Sequence, residues 1–426
     1  MVIYRQIKGD VNMDEKYLII NAGSSSLKFS LYAMPGNEKI VNGYVEKIGY
    51  DDSFYTLKFD GKKVKKEQLI SNHNEAVQIM LNELLGNGFI SNLSDIKGIG
   101  HRVVHGAEKY SDSVLITDEV ISDIVANTKY APLHHPGNLA GIRAMKEVLP
   151  EVPQVAVFDT AFHQTIPSEN YLYGVPYEWY LENGVRKYGF HGTSHKYITE
   201  TMQKNLGKQD VNLVICHIGS GASLCCVKDG KSIDTTMGLT PQDGILMGTR
   251  CGTIDSSIIG YICKERNLSV ETVMDILNKQ SGLLGLTGKN DYRDIDEMAK
   301  AGNERAKLAL KMLQKSIIRS IAYYCTELEG NVDAIVFTAG IGENSTSLRA
   351  NIINTLSTVL NVKLDEQANS MISINKEKQS GIISTDDSGI GVYVIPTDEE
   401  YMILKDTYEI SKQQTNDIHK SIVKGL

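Results

Sequence analysis

Apolar positions along this chain fall into two rhythms. Short, continuous runs such as Leu18–Ile20 and Ala334–Phe337 predict buried strands, each followed by glycine or serine. Longer windows repeat at helical spacing. In NEAVQIMLNELLGNG, Val77, Met80, Leu81 and Leu84 mark one face of a helix closed by Gly86. In NERAKLALKMLQKSIIRSIAYY, Leu310, Leu313, Ile317, Ile321 and Tyr324 mark a longer helix whose apolar stripe is a core face. Strands alternating with helices predict an α/β chain.

Three turns between these elements share one chemistry. LIINAGSSSLKFSLY passes from a strand through Gly23 and three serines into a second apolar run. HIGSGASLCCVKDG does the same through Gly219, Ser220 and Gly221, and its second strand ends at Asp229-Gly230. DAIVFTAGIGENSTSLR runs from a strand through Gly340 and Gly342 into a helix. Glycine, serine and asparagine are ordinary turn residues. They also let several backbone N–H groups point into one concavity, which holds phosphate without a cationic side chain, and a helix N-terminus adds to that field. Lys28 lies just beyond the first turn. No GxxxxGK[ST] stretch is present, so a Walker-type loop is excluded. Two hairpin turns plus a strand-glycine-helix turn are similar to the actin, sugar kinase and Hsp70 superfamily. That resemblance implies two RNase H-like domains with a nucleotide and substrate cleft between them.

Composition narrows the function. A chain of 426 residues, 42% hydrophobic, is long enough for two or three domains. With nine prolines and no low-complexity linker, those domains are expected to pack around a shared cleft. The formal net charge of −8 argues against a nucleic-acid surface, which needs an excess of Lys and Arg. No window approaches a membrane span, and the opening MVIYRQIKGDVNMDEKY lacks a signal peptide's apolar stretch. A soluble cytoplasmic protein is expected. The six cysteines (Cys216, Cys225, Cys226, Cys251, Cys263 and Cys325) form no CxxC pair and read as reduced, mostly buried thiols.

Eight of the ten histidines fall between His101 and His217. A lone histidine is more often structural than catalytic, but such a density points to chemistry. Zinc is disfavoured because HExxH is absent and His191 and His195 lack a third ligand at a recognisable spacing.

NAGSSSLKF, HRVVHG, FDTAFH, YGFHGTSH, DTTMGLTPQDGILMGTR, DYRDI, FTAGIGEN and IPTDEE occur in order over nearly the whole chain from Met13 onward. The series resembles the signatures of the acetate kinase family. The resemblance implies reversible transfer of the ATP γ-phosphoryl group to a short carboxylate, giving an acyl phosphate and ADP, by a homodimer. It implies residues 13–160 plus 401–426 as one domain and 161–400 as a second that carries the nucleotide site and dimer contacts, with 1–12 a preceding extension.

By the same resemblance Arg102 and Arg250 are the catalytic arginines, suited to oxyanions because a guanidinium forks onto two oxygens. His191 contacts the transferred phosphoryl group, and Asp159 orients an arginine and assists Mg²⁺ through water. Asn21 and Glu399 belong to the Mg²⁺ site, which Mn²⁺ could also fill; Mg²⁺ keeps several waters and needs few protein ligands. Val104, Leu133, His134, Phe190 and Pro241 surround the acceptor, with Arg102 holding its carboxylate. Lys28, His217, Gly219, Ser220 and Gly221 attend the phosphates. Asp291, Tyr292, Arg293, Gly340, Ile341, Gly342 and Asn344 attend the adenosine. Tyr292 stands where a Phe is common.

The chain departs from the family pattern at Ser220 (usually Asn), Ala107 (Gly), His135 (Asn), Gly137 (Pro) and Thr253 (Asp). Ser220 and Thr253 put the nucleotide-phosphate geometry in question. A propionate or butyrate kinase is the alternative within the class. A nucleotide-gated binding protein of the actin and Hsp70 kind is the alternative outside it, but leaves Arg102, Arg250 and His191 unexplained.

Overall fold

The computed structural model describes residues 15–373 and 379–424, with side chains through Gln414; the extension 1–12 lies outside them. The chain divides into two compact units. The first holds residues up to 103, 113–157 and 400 onward; the second holds 104–112 and 158–399.

The first unit is built on eight strands: β1 (Glu15–Ala22), β2 (Ser26–Met34), β3 (Glu38–Glu46), β4 (Phe54–Phe59), β5 (Lys62–Glu67), β6 (Ile96–Val103), β7 (Val114–Leu115) and β8 (Gln154–Phe158). They lie in the order β5-β4-β3-β2-β1-β6-β8-β7. β1 pairs antiparallel with β2 and parallel with β6. Because side chains alternate along a strand, the two faces of the sheet bury different partners. Leu18 and Ile20 face the helices His73–Gly86 and His135–Val148, joining Val77, Met80, Leu81, Ala144 and Met145. Tyr17 and Ile19 face the helix Glu399–Lys424, joining Ile403 and Leu404. Gly98 and Gly100 let that helix lie close, since a Cβ on either would overlap Ser411 or Thr407.

The second unit repeats the plan with β9 (Leu213–Ile218), β10 (Ala222–Lys228), β11 (Lys231–Thr235), β12 (Ala334–Thr338), β13 (Gly381–Ile382) and β14 (Gly391–Val394), ordered β11-β10-β9-β12-β14-β13. Again a three-stranded antiparallel meander is extended by a parallel partner of its first strand. This is the duplicated RNase H-like α/β plan expected from the glycine turns. The helix Glu304–Glu327 covers the sheet, and all five of its predicted stripe residues are buried. Asp229 and Gly230 both adopt left-handed backbone, the conformation that closes a tight hairpin.

Three local expectations change. Gly86 is still helical; the cap is Asn87, and Gly88 makes the left-handed turn. Gly340 and Gly342 lie inside the short helix Ala339–Asn344, and Ala339, at φ +63°, makes the corner. Residues 104–112, placed in the first domain by sequence, pack with the second unit. Gly106 N–H donates to Thr160 Oγ1, Tyr110 stacks on Phe158, the His105 ring meets Tyr188 and Phe190 edge-on, and Arg186 pairs with Glu108.

Candidate active site

The second unit gathers its candidate chemistry at the carboxyl ends of β9 and β12, where open α/β sheets place their ligands. The turn Gly219-Ser220-Gly221 joins β9 to β10 there, with Gly219 N–H bonded to Gly221 O at 3.1 Å. Two cationic or protonatable groups converge on it. From the position where a Cβ on Gly221 would stand, Arg250 Nη1 is 3.5 Å away and His191 Nε2 is 3.7 Å. A side chain at 221 would occupy that space, so glycine keeps it open for a ligand.

Arg250 is aimed by its own loop: Nη1 donates to Pro241 O at 3.1 Å. Burial lowers its pKa from the ordinary arginine value, yet it stays a cation throughout the working range. His191 is the residue before the helix Gly192–Leu206 and holds left-handed backbone at φ +56°. Such a conformation costs on the order of 1 to 3 kcal/mol at a non-glycine residue and persists only where its surroundings enforce it. Here Gly192 N–H bonds Asp159 O at 2.8 Å, and Gly192 has no room for a Cβ against that carbonyl. Asp159 itself is buried at the end of β8. The His191 ring stacks on His217 at 4.1 Å, and His217 Nδ1 bonds Ser194 Oγ at 2.8 Å.

Beside this cluster opens a cavity of about 880 Å³, lined by Gly219, Ser220, Asp291, Tyr292, Arg293, Gly340, Ile341 and Asn344. These eight belong to a turn, a helix start and a strand-to-helix corner, the segments for which the sequence suggested phosphate and adenosine; Ser220 is among them and departs from the family's usual residue. Asp291 caps the helix Tyr292–Lys300 by accepting from Arg293 N–H, and the Arg293 guanidinium holds its carboxyl down to about 2. Tyr292 is buried, and its hydroxyl accepts from Ser345 Oγ at 3.1 Å. Gly342 does not line the cavity; it packs against Cys216 and Ile218 of β9.

The first unit brings three more candidates to one face. Asn21 and Lys28 are register partners across β1 and β2. Arg102 follows His101, which pairs with Ile20, so it stands beside Asn21 on the same side of the sheet. The helix opened by Glu399 covers this face, and Glu400 accepts from Ser30, Tyr32 and Lys39. Of the acceptor candidates, Val104 and Phe190 share one apolar cluster in the second unit, where Pro241 also lies. Leu133, 63% exposed, and His134 stand in the first unit, ahead of the helix His135–Val148. Among the described residues no group of three His, Cys, Asp or Glu side chains is placed to hold a metal.

The histidine density resolves by burial. His101 bonds Gln154 and His163 bonds Ser232 and the Phe190 carbonyl, and burial lowers each to about 4. These two are structural, as is His135, whose ring contacts the Ile124 carbonyl. The departures resolve as well. Gly137 lets its helix abut the Gly23-Ser24 turn, where a Cβ would overlap backbone. Thr253 bonds Asp243 within its own loop and does not line the cavity, so only Ser220 touches the nucleotide question. Asp296, Glu297 and Lys300 also line the cavity and were missed; spaced three, four and seven residues after Arg293, they share one helix face. Ser223, in the middle of the apolar run of β10, gave no sequence signal.

Fold and site together define a phosphotransferase built on duplicated RNase H-like units. Residues 16–405 match the model of the acetokinase family, and the chain belongs to that family. It is 49% identical over 400 residues to the acetate kinase of Clostridium novyi (strain NT), covering 93% of this chain and 98% of the relative. It is similar to the crystal structure of Porphyromonas gingivalis acetate kinase, with a TM-score of 0.88 and 39% identity over 93% of this chain and 99% of that one. A propionate kinase structure from Francisella tularensis subsp. tularensis SCHU S4 superposes with a TM-score of 0.87 and 41% identity, over 93% and 100%.

Proposed function

We propose that the protein is an acetate kinase: it transfers the γ-phosphoryl group of ATP to an oxygen of acetate, giving acetyl phosphate and ADP, and runs the same reaction in reverse. The observation that carries this reading is the convergence of Arg250 and His191 over Gly221, next to a cavity of nucleoside size. Transfer is in line. The acetate oxygen forms a bond to phosphorus as the bond to the β,γ-bridging oxygen breaks, and charge spreads over three equatorial oxygens. Arg250 and His191 are placed to donate to those oxygens, and preorganised donors cost no reorganisation as the charge develops. The N–H groups of the 219–221 turn hold the remaining phosphates.

Arg102 is assigned the acetate carboxylate, Lys28 the nucleotide phosphates, and Asp159 the orientation of an arginine. The donor set at Asn21 and Glu399, an amide oxygen and a carboxylate, suits a hard cation that keeps most of its waters. When bound, Mg²⁺ (or Mn²⁺) supplies charge neutralisation at the phosphates. Val104 and Phe190 in one apolar cluster support a small alkyl group as the acceptor's tail. We also assign a homodimer and a cytoplasmic location; no described helix is long and apolar enough to cross a membrane. Trapping acyl phosphate with hydroxylamine, in mixtures of ATP, Mg²⁺ and C2 to C4 acids, tests the reading: hydroxamate should form fastest with acetate. No hydroxamate with any of these acids would refute it.

A further inference from the structure

Behind His191 lies a second, fully enclosed hydrogen-bonded pair. Ser223 Oγ is 2.9 Å from His191 Nδ1 and 2.9 Å from His195 Nε2. Ser223 and His195 are both 0% exposed. The other nitrogen of His195, Nδ1, is buried without a hydrogen-bond partner. A hydroxyl has one hydrogen, and a neutral imidazole has one N–H and one lone pair, so the three groups must agree on a direction.

Were both rings to donate to the Ser223 oxygen, its buried hydrogen would have no acceptor, because these two nitrogens are the hydroxyl's only partners among the described residues. Two directions remain. In one, His191 donates from Nδ1 to Ser223, Ser223 donates to His195 Nε2, and the His195 proton is left on Nδ1. That strands a buried N–H with nothing to bond, the kind of orphan folded proteins avoid most strictly. In the other, His195 donates from Nε2, Ser223 passes its hydrogen to His191 Nδ1, and only a bare lone pair on His195 Nδ1 goes unused. A doubly protonated His195 is excluded by its burial and by the neighbouring rings of His163 and His217, which push its pKa well below the ordinary histidine value.

We infer that Ser223 and His195 are positioning residues that fix the tautomer of His191, leaving its proton on Nε2, the ring nitrogen that faces the open space at Gly221 where the transferred phosphoryl group is assigned. The inference rests on the proposed role of His191, but its primary test does not. Which nitrogen carries the proton is a property of the resting enzyme. The left-handed backbone at His191 and the stack on His217 hold the ring plane, so Ser223 decides the proton and not the orientation.

The test is nitrogen NMR of the full-length, histidine-labelled protein at pH 8, with long-range proton correlation to separate bare from protonated ring nitrogens. The His191 signals are assigned by their loss in His191→Asn. The expected spectrum has Nδ1 bare and Nε2 protonated at His191, and Nε2 protonated at His195. A proton on His191 Nδ1, or on both of its nitrogens, overturns the proposal whatever the substrate proves to be. In Ser223→Ala, His191 should shift toward a mixture of tautomers while kcat falls about tenfold and both KM values stay within about threefold, with Ser223→Thr recovering part of kcat. An unchanged His191 spectrum in Ser223→Ala overturns the assignment as well, and needs no activity to be read.

Discussion

The rings of His191 and His217 lie face to face, 4.1 Å apart and within 20° of parallel, so a helix start and a sheet strand present two imidazoles side by side at one turn. The turn between them and the cavity is Gly219-Ser220-Gly221, and its middle residue lines the cavity.

Restoring the family's usual residue there should therefore act on the nucleotide. Asn reaches about one bond further than Ser and adds an amide donor, so Ser220→Asn should change the KM for ATP, or kcat, more than the KM for acetate. Steady-state kinetics with each substrate varied will check it. An effect confined to the acetate KM would remove the turn from the phosphate site.

Val104 and Phe190 belong to one apolar cluster. If Val104 walls the methyl pocket, acetate should exceed propionate in kcat/KM by roughly 1 to 3 kcal/mol for the added methylene. Val104→Ala should narrow that gap. The ratio of the two kcat/KM values decides the point, and an unaltered ratio would place the wall elsewhere.

Ala107 holds φ +52°, where the family usually has glycine. An L-residue in left-handed backbone costs roughly 1 to 2 kcal/mol, while glycine costs several tenths more in unfolded-state entropy. Ala107→Gly should accordingly raise stability by up to about 1 kcal/mol. A lower denaturation midpoint in the variant would show that the alanine methyl contributes more packing than the backbone loses in strain.

Acid should weaken the fold before it weakens any single carboxylate pair. His101 and His163 titrate near 4 when folded because burial disfavours the cation, against an ordinary 6.5. Between those values the unfolded chain binds the extra protons, so stability is fully present above about pH 6.5 and falls as pH drops toward 4. From pH 7 to pH 5 each should withdraw on the order of 2 kcal/mol. Denaturant melts at the two pH values, with His101→Gln flattening the slope, will measure it; stability equal at both would contradict the burial argument.

Much of this was legible in the chain because local chemistry carried it. The 219–221 turn, the Asp229-Gly230 hairpin and the stripe from Leu310 to Tyr324 all appear where glycine placement and helical spacing put them. What escaped depends on burial. Six of the clustered histidines (His101, His105, His135, His163, His195 and His217) are buried, but residue type alone does not separate a core imidazole from one at a site. Ser223 looks like any serine in a strand until His191 and His195, from a distant helix, close on its hydroxyl. The excursion of 104–112 into the second unit is set by long-range contacts with Phe158, Thr160, Arg186 and Phe190, which no local pattern announces.

In the proposed mechanism Arg250 stabilises the charge on the phosphoryl group in flight, from beside His191. The most direct measurement is the rate of acetyl phosphate formation by Arg250→Ala at saturating ATP and acetate, beside a thermal melt. Losing a preorganised donor to a developing oxyanion should lower kcat by about a hundredfold or more with the melt unchanged, and Arg250→Lys should recover little because an ammonium cannot fork. A kcat for Arg250→Ala within a few fold of the parent would remove Arg250 from the transfer step.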